Sequence, residues 1–70
     1  MKKYYFYKFT DKNNNHEVHT AGCAFLPAAE NRTYIGEFIS CSSAIAKAKA
    51  DYPSKSFDGC YYCCKSCHTG

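Results

Sequence analysis

The chain has 70 residues and six cysteines, a length with room for one domain and a cysteine density that calls for a cross-linked scaffold, either disulfide or metal. Its branched aliphatics are only Val18, Leu26, Ile35, Ile39 and Ile45, beside seven Tyr and five Phe, so any core is thin and aromatic and a second domain is excluded. The net charge of +3 lies wholly in residues 1–12, where Lys2, Lys3, Lys8 and Lys12 face Asp11 alone, which is short of a strong nucleic-acid footprint.

In chain order, residues 3–10 (KYYFYKFT) are β-formers almost throughout and predict a strand. Tyr5, Tyr7 and Phe9 alternate on one face with Tyr4, Phe6 and Lys8 on the other, so one aromatic face is core and the second is free to pack or to meet a partner. Residues 11–15 (DKNNN) form a turn cluster in which Asn tolerates left-handed backbone. His16 to Thr20 then returns antiparallel as a hairpin, with His16 read as a surface residue. Gly22 and Pro27 break the backbone, and Asn31 to Phe38 predicts a second extended segment with Gly36 as a bulge. Ser40 is an N-cap for a helix over Cys41 to Ala50, on which Ala44, Ile45, Ala48 and Tyr52 line one stripe; Pro53 ends it. The remaining segment, 56–70, is predicted to be a ligand-bearing turn with a ragged end.

No stretch approaches the roughly 18 apolar residues of a membrane span. The N-terminus, interrupted by Lys8, lacks the apolar stretch of a secretory leader. The expected location is therefore the cytoplasm, where clustered cysteines serve as metal ligands or redox groups more often than as disulfides.

Two pairs of donors carry the chemistry: His19-x3-Cys23 (HTAGC) and Cys60-x2-Cys63 (CYYC). A Cys-x2-Cys turn points two thiolates to one side and lets nearby backbone N–H groups bond the sulfurs. An x3 spacing joins two ligands on one turn, and Zn²⁺ takes four such N/S donors tetrahedrally. Iron suits a mainly thiolate site nearly as well. The late register has alternatives, because Cys63, Cys64, Cys67 and His68 also offer Cys64-x2-Cys67; Gly59 immediately before Cys60 favours Cys60 with Cys63. Cys64 and Cys67 are then spare thiols near the terminus, or members of a second site with His68 and either His16 or Cys41. Cys41 is read as a small buried hydrophobe, with a thiolate stabilised by the helix N-terminus as the alternative.

The order HTAGC, NRTYIGEFISCSSAIAKA, DGCYYC resembles the zinc-binding N-terminal module of the Ada DNA-repair protein and its small relatives, over about residues 18–64. Asn31, Phe38, Ser40, Ala44, Cys60 and Cys63 stand in that family's places. The resemblance implies a zinc module in which a small sheet packs on one or two helices, with a DNA-contacting role by analogy. His19, however, stands where Ada carries its methyl-accepting cysteine, and an imidazole cannot do that thiolate chemistry, so the repair activity is not carried over.

The expectation is a small α+β domain spanning residues 1–70, a short antiparallel sheet with one main helix, stapled by Zn²⁺ on His19, Cys23, Cys60 and Cys63. It is expected to be non-catalytic, with no small-molecule substrate and no membrane contact, meeting a nucleic acid or a protein through its N-terminal basic aromatic strand. The rival is a thiol-reactive protein in which Cys41 or Cys64 accepts a methyl group or a redox equivalent.

Overall fold

The aromatic run at the N-terminus forms β1 (Lys2–Tyr7), and the computed structural model describes residues 1–69. The turn that follows is built by Asp11, whose Oδ1 accepts from the backbone N–H of Asn13 at 2.8 Å and Asn15 at 3.0 Å, while Asn14 takes the left-handed φ of 63°. β2 (Asn15–Thr20) then returns antiparallel, with Tyr4 opposite Thr20 and Phe6 opposite Val18.

β3 (Arg32–Phe38) pairs antiparallel with the other edge of β1. Its register slips between Tyr4 and Tyr5, which face Gly36 and Tyr34, so Ile35 is the extra residue of a bulge. Gly36 adopts φ 147°, a conformation open to glycine, and the Phe38 ring lies 3.0 Å from where a Cβ would stand. The predicted bulge is present.

Ser40 caps α1 (Cys41–Asp51), its Oγ accepting from Ser43 N–H at 3.3 Å. Ala44 and Ala48 are buried and Ile45 partly so, which is the predicted stripe. Small residues on this face let the helix lie close to the sheet. Tyr52, at the end of the stripe, sets its ring edge-on to Phe6 at 5.4 Å.

Two expectations are corrected at the C-terminal end. Ser56–Gly59 is a strand, β4, not part of a turn, and it pairs parallel with β2, so the sheet is mixed and runs β3-β1-β2-β4. Both β2 and β3 are antiparallel to β1, hence β3 and β4 are parallel; two parallel strands need a crossover, and α1 is that crossover. The fold is a small α+β domain of one helix on a four-stranded sheet.

The core is Tyr4, Phe6, Val18, Phe57 and the helix residues Cys41, Ala44 and Ala48, closed by Cys64. Phe57 meets Phe6 edge-on at 5.1 Å, an arrangement that adds about 0.5–1.5 kcal/mol beyond burial. His16 is corrected too: it is buried, its Nδ1–H donates to the Tyr7 carbonyl at 2.9 Å, and its ring packs against both Phe6 and Phe57. A sheet so poor in aliphatics uses an imidazole as one more flat core ring.

Candidate metal centre

His19 leaves β2 on the face opposite Phe6 and Val18, because side chains alternate along a strand. The chain then turns tightly, with Cys23 N–H donating to the Thr20 carbonyl at 3.1 Å, which swings Cys23 back beside His19. From the other side, β4 delivers Cys60, whose N–H extends the parallel ladder onto the Val18 carbonyl at 2.9 Å. Cys64 N–H closes the knuckle onto the Cys60 carbonyl at 2.8 Å, placing Cys63 next to Cys60.

Gly59 is required at the root of this knuckle. A Cβ there would stand 2.5 Å from the Cys64 carbonyl oxygen and 2.8 Å from Cys67 Cβ. Backbone approach, rather than unusual φ, fixes the residue type.

The ligand atoms of His19, Cys23, Cys60 and Cys63 lie within 4.8 Å of one another, close enough to hold one metal ion. Cys23 and Cys60 sulfurs are 3.8 Å apart, far beyond a disulfide bond, and Cys63 Sγ is 4.0 Å from His19 Nδ1. Backbone donors aim at two of the sulfurs, Phe25 N–H to Cys23 Sγ and Thr20 N–H to Cys63 Sγ, both at 3.4 Å, though the donor to Cys63 comes from β2 and not from the Cys-x2-Cys turn itself. His19 and Cys60 are buried, while Cys23 and Cys63 are half-buried.

Glu17 is a member of this site that the sequence reading missed. Its Oε1 lies 3.2 Å from His19 Nε2, while the ring's other nitrogen, Nδ1, faces the sulfurs; a carboxylate beside the outer nitrogen of a ligating imidazole orients the ring and raises its basicity. The signal was available: Glu17 and His19 are two apart on a strand and so share a face. Burial pushes the His19 pKa down, keeping the ring neutral as a ligand must be. Burial pushes the Cys23 thiol up, with a hydrogen bond to Cys63 adding to it, so in the metal-free site this sulfur holds its proton.

The remaining cysteines take other places than expected. Cys41 and Cys67 are joined as a disulfide across a sequence separation of 26 residues, tying the start of α1 to the 3-10 turn Lys65–Cys67. Cys67 is thus no spare thiol, and Cys41 is buried but cross-linked. Cys64 is a core residue, 1% exposed, and burial with Cys63 and Cys60 beside it pushes its thiol up to about 12.

His68 turns away to the backbone, its Nδ1–H donating to the Gly59 carbonyl at 2.9 Å. Asp58 is buried, and its Oδ1 accepts from Thr69 N–H and Oγ1–H. Among the described residues no second group of three or more donors comes together, so the alternative second site does not form.

β1 is a central strand with Tyr4 and Phe6 in the core and Tyr5 set at a tilt of 53° beside Tyr34, under the Arg32 guanidinium. Among its described residues no helix is long and apolar enough to cross a membrane. No protein-family model, curated protein or solved structure matches the chain.

Proposed function

We infer that the protein is a non-catalytic zinc module in which His19, Cys23, Cys60 and Cys63 hold one structural Zn²⁺. The observation that carries this reading is the size of the donor cluster. Zn–S bonds of about 2.3 Å opened to the tetrahedral angle put two sulfurs about 3.8 Å apart, and the Cys23–Cys60 separation is 3.8 Å. The corresponding N–S edge is about 3.5 Å; the 4.0 Å between His19 Nδ1 and Cys63, and the full spread of the four donors, within 4.8 Å, call for contraction around the ion.

Three soft thiolates and a neutral imidazole favour zinc over the harder divalent ions. Four protein donors leave no coordination position for a reactive water, which supports a structural role over a catalytic one. The thiol-reactive alternative draws no support from Cys41, held in a disulfide, or from Cys64, buried with its pKa raised. The ligand order agrees with the Ada-like resemblance, with a histidine in the place of the methyl-accepting cysteine. Lys2 and Lys3, exposed at the start of β1, are what that strand offers to a nucleic-acid or protein partner.

Native mass spectrometry and metal analysis on protein purified without chelator test this reading. One zinc per chain, lost with the fold on EDTA treatment and absent from Cys60→Ser, is expected. A folded, metal-free protein that takes up no zinc refutes it.

A further inference from the structure

The two loops that supply the metal donors also carry the most exposed cluster of aromatic rings in the molecule. Phe25, two residues past Cys23, stacks on Tyr62 from inside the Cys60-x2-Cys63 knuckle, with ring centres 4.4 Å apart and planes at 28°. Both rings remain largely accessible, Phe25 56% and Tyr62 68% exposed. Tyr61 meets Tyr62 edge-on at 5.2 Å, and the Lys65 ammonium stands 5.4 Å over the Tyr61 ring. None of these rings belongs to the core.

The loops themselves carry no acid. Residues 18–29 and 59–69, the two stretches around the donors, contain no carboxylate. Of the acids that flank these stretches, Glu17 stands on His19 and buried Asp58 on Thr69, while Glu30 is exposed; Glu37 lies across the β1–β3 ladder from Lys3. Lys2 and Lys3 line a cavity of about 380 Å³ with Thr20, Ala21 and Gly22, the same turn that leads to Cys23 and Phe25.

Resting on the zinc reading, we propose that the Phe25–Tyr62 pair, with Lys2, Lys3 and Lys65, is a binding platform for unpaired nucleotides, assembled by the metal that joins its two loops. An already stacked pair of largely exposed rings extends a run of bases, and base–aromatic stacking tolerates any sequence. The lysines take the phosphates on either side. A duplex offers such rings no open base face except at its ends, so the ligand is a single strand. The metal fixes the spacing of the rings, and the binding surface disappears with it.

The test is fluorescence anisotropy of the zinc-loaded full chain with labelled oligothymidylate, oligouridylate and a duplex, each about ten units long, at about 50 mM salt. The two single strands separate DNA from RNA as the source of the ligand. Each of Phe25→Ala and Tyr62→Ala is expected to weaken single-strand binding about 5- to 150-fold, with zinc content unchanged. Tyr62→Phe retains binding, because the ring face and not the hydroxyl is used. Phe9→Ala, an exposed aromatic remote from the knuckle, has no effect. The double change Lys2→Ala, Lys3→Ala flattens the logarithmic salt slope by about 1.4.

Zinc-loaded protein that ignores single strands, prefers duplex, binds equally well without Phe25 and Tyr62, or self-associates through these rings overturns the platform. Protein that takes up no zinc overturns the metal reading instead, so the two failures are separable.

Discussion

Removing the Glu17 carboxylate tests whether the site is organised as argued, because this residue reaches the metal only through His19. In Glu17→Ala the Nε2 of a ring that is 2% exposed loses the carboxylate that stands 3.2 Å away. The imidazole then loses both its fixed orientation and the electron donation that makes Nδ1 a better ligand. Such outer partners typically contribute 10- to 100-fold in metal affinity, about 1.4–2.7 kcal/mol. Glu17→Gln retains an oxygen at that place without the charge, so its loss falls between alanine and wild type. The assay is competition for zinc against a chromophoric chelator at fixed pH. Asp51→Asn serves as control, since its ion pair with Lys47 lies on the solvent side of α1 and affects neither zinc nor more than about 0.5 kcal/mol of stability. Alanine at position 17 binding zinc within twofold of wild type, or imidazole nitrogen shifts showing ligation through Nε2, would refute the arrangement.

Gly59→Ala must displace backbone at Cys64 or Cys67; such overpacking costs about 1–3 kcal/mol, read as a lower urea midpoint together with weakened zinc binding. Zinc affinity rises with pH: burial holds the proton on Cys23 while His19 is already neutral, so binding expels thiol protons, and acidification releases the metal. A pH-independent zinc affinity across the neutral range would contradict that sign. Cys64, pushed up to about 12 and buried, is expected to resist iodoacetamide in the folded protein and to react at the rate of unfolding, which peptide mapping by mass reads directly. Cys41→Ser with Cys67→Ser removes a cross-link spanning a separation of 26 residues, for which loop-closure entropy gives about 3.5 kcal/mol. Denaturant unfolding measures this loss, and an intact mass two hydrogens below the reduced value confirms the bond.

The elements with local signals were legible in the sequence. The turn at Asp11, the bulge at Gly36, the cap at Ser40 and the stripe through Ala44 and Ala48 each follow from one residue's own chemistry. So does the pairing of His19, Cys23, Cys60 and Cys63, because ligand spacing is itself local within each pair. β4 was hidden, since Ser56–Gly59 contains Asp58 and Gly59, both poor strand formers, and becomes a strand only because β2 presents a free edge after α1 has crossed the sheet. His16 was misread because polarity argued for the surface, whereas one bond to the Tyr7 carbonyl satisfies its buried Nδ1. Cys67 was misread because proximity to Cys41 arises only when the knuckle folds back over the start of α1, a contact with no trace in spacing.

With zinc bound as proposed, two cross-links would divide the work of holding residues 59–69, in which the short turn Lys65–Cys67 is the only helical element among the described residues. A metal on Cys60 and Cys63 would fasten the near end of the knuckle to His19 on β2 and Cys23 on the turn that follows it. The Cys41–Cys67 bond fastens the far end to α1. Between these anchors sits Cys64, which closes the core under Tyr4 and Phe6. With Val18 as the one branched aliphatic fully buried, hydrophobic burial alone is small for a chain of this length. Loss of either anchor would therefore free one end of the knuckle and reopen the core at Cys64. In this account the metal's structural effect reaches the hydrophobic interior through a single intervening residue, and a Cys64→Ser substitution, which puts a hydroxyl there, should lower stability with all four donors intact.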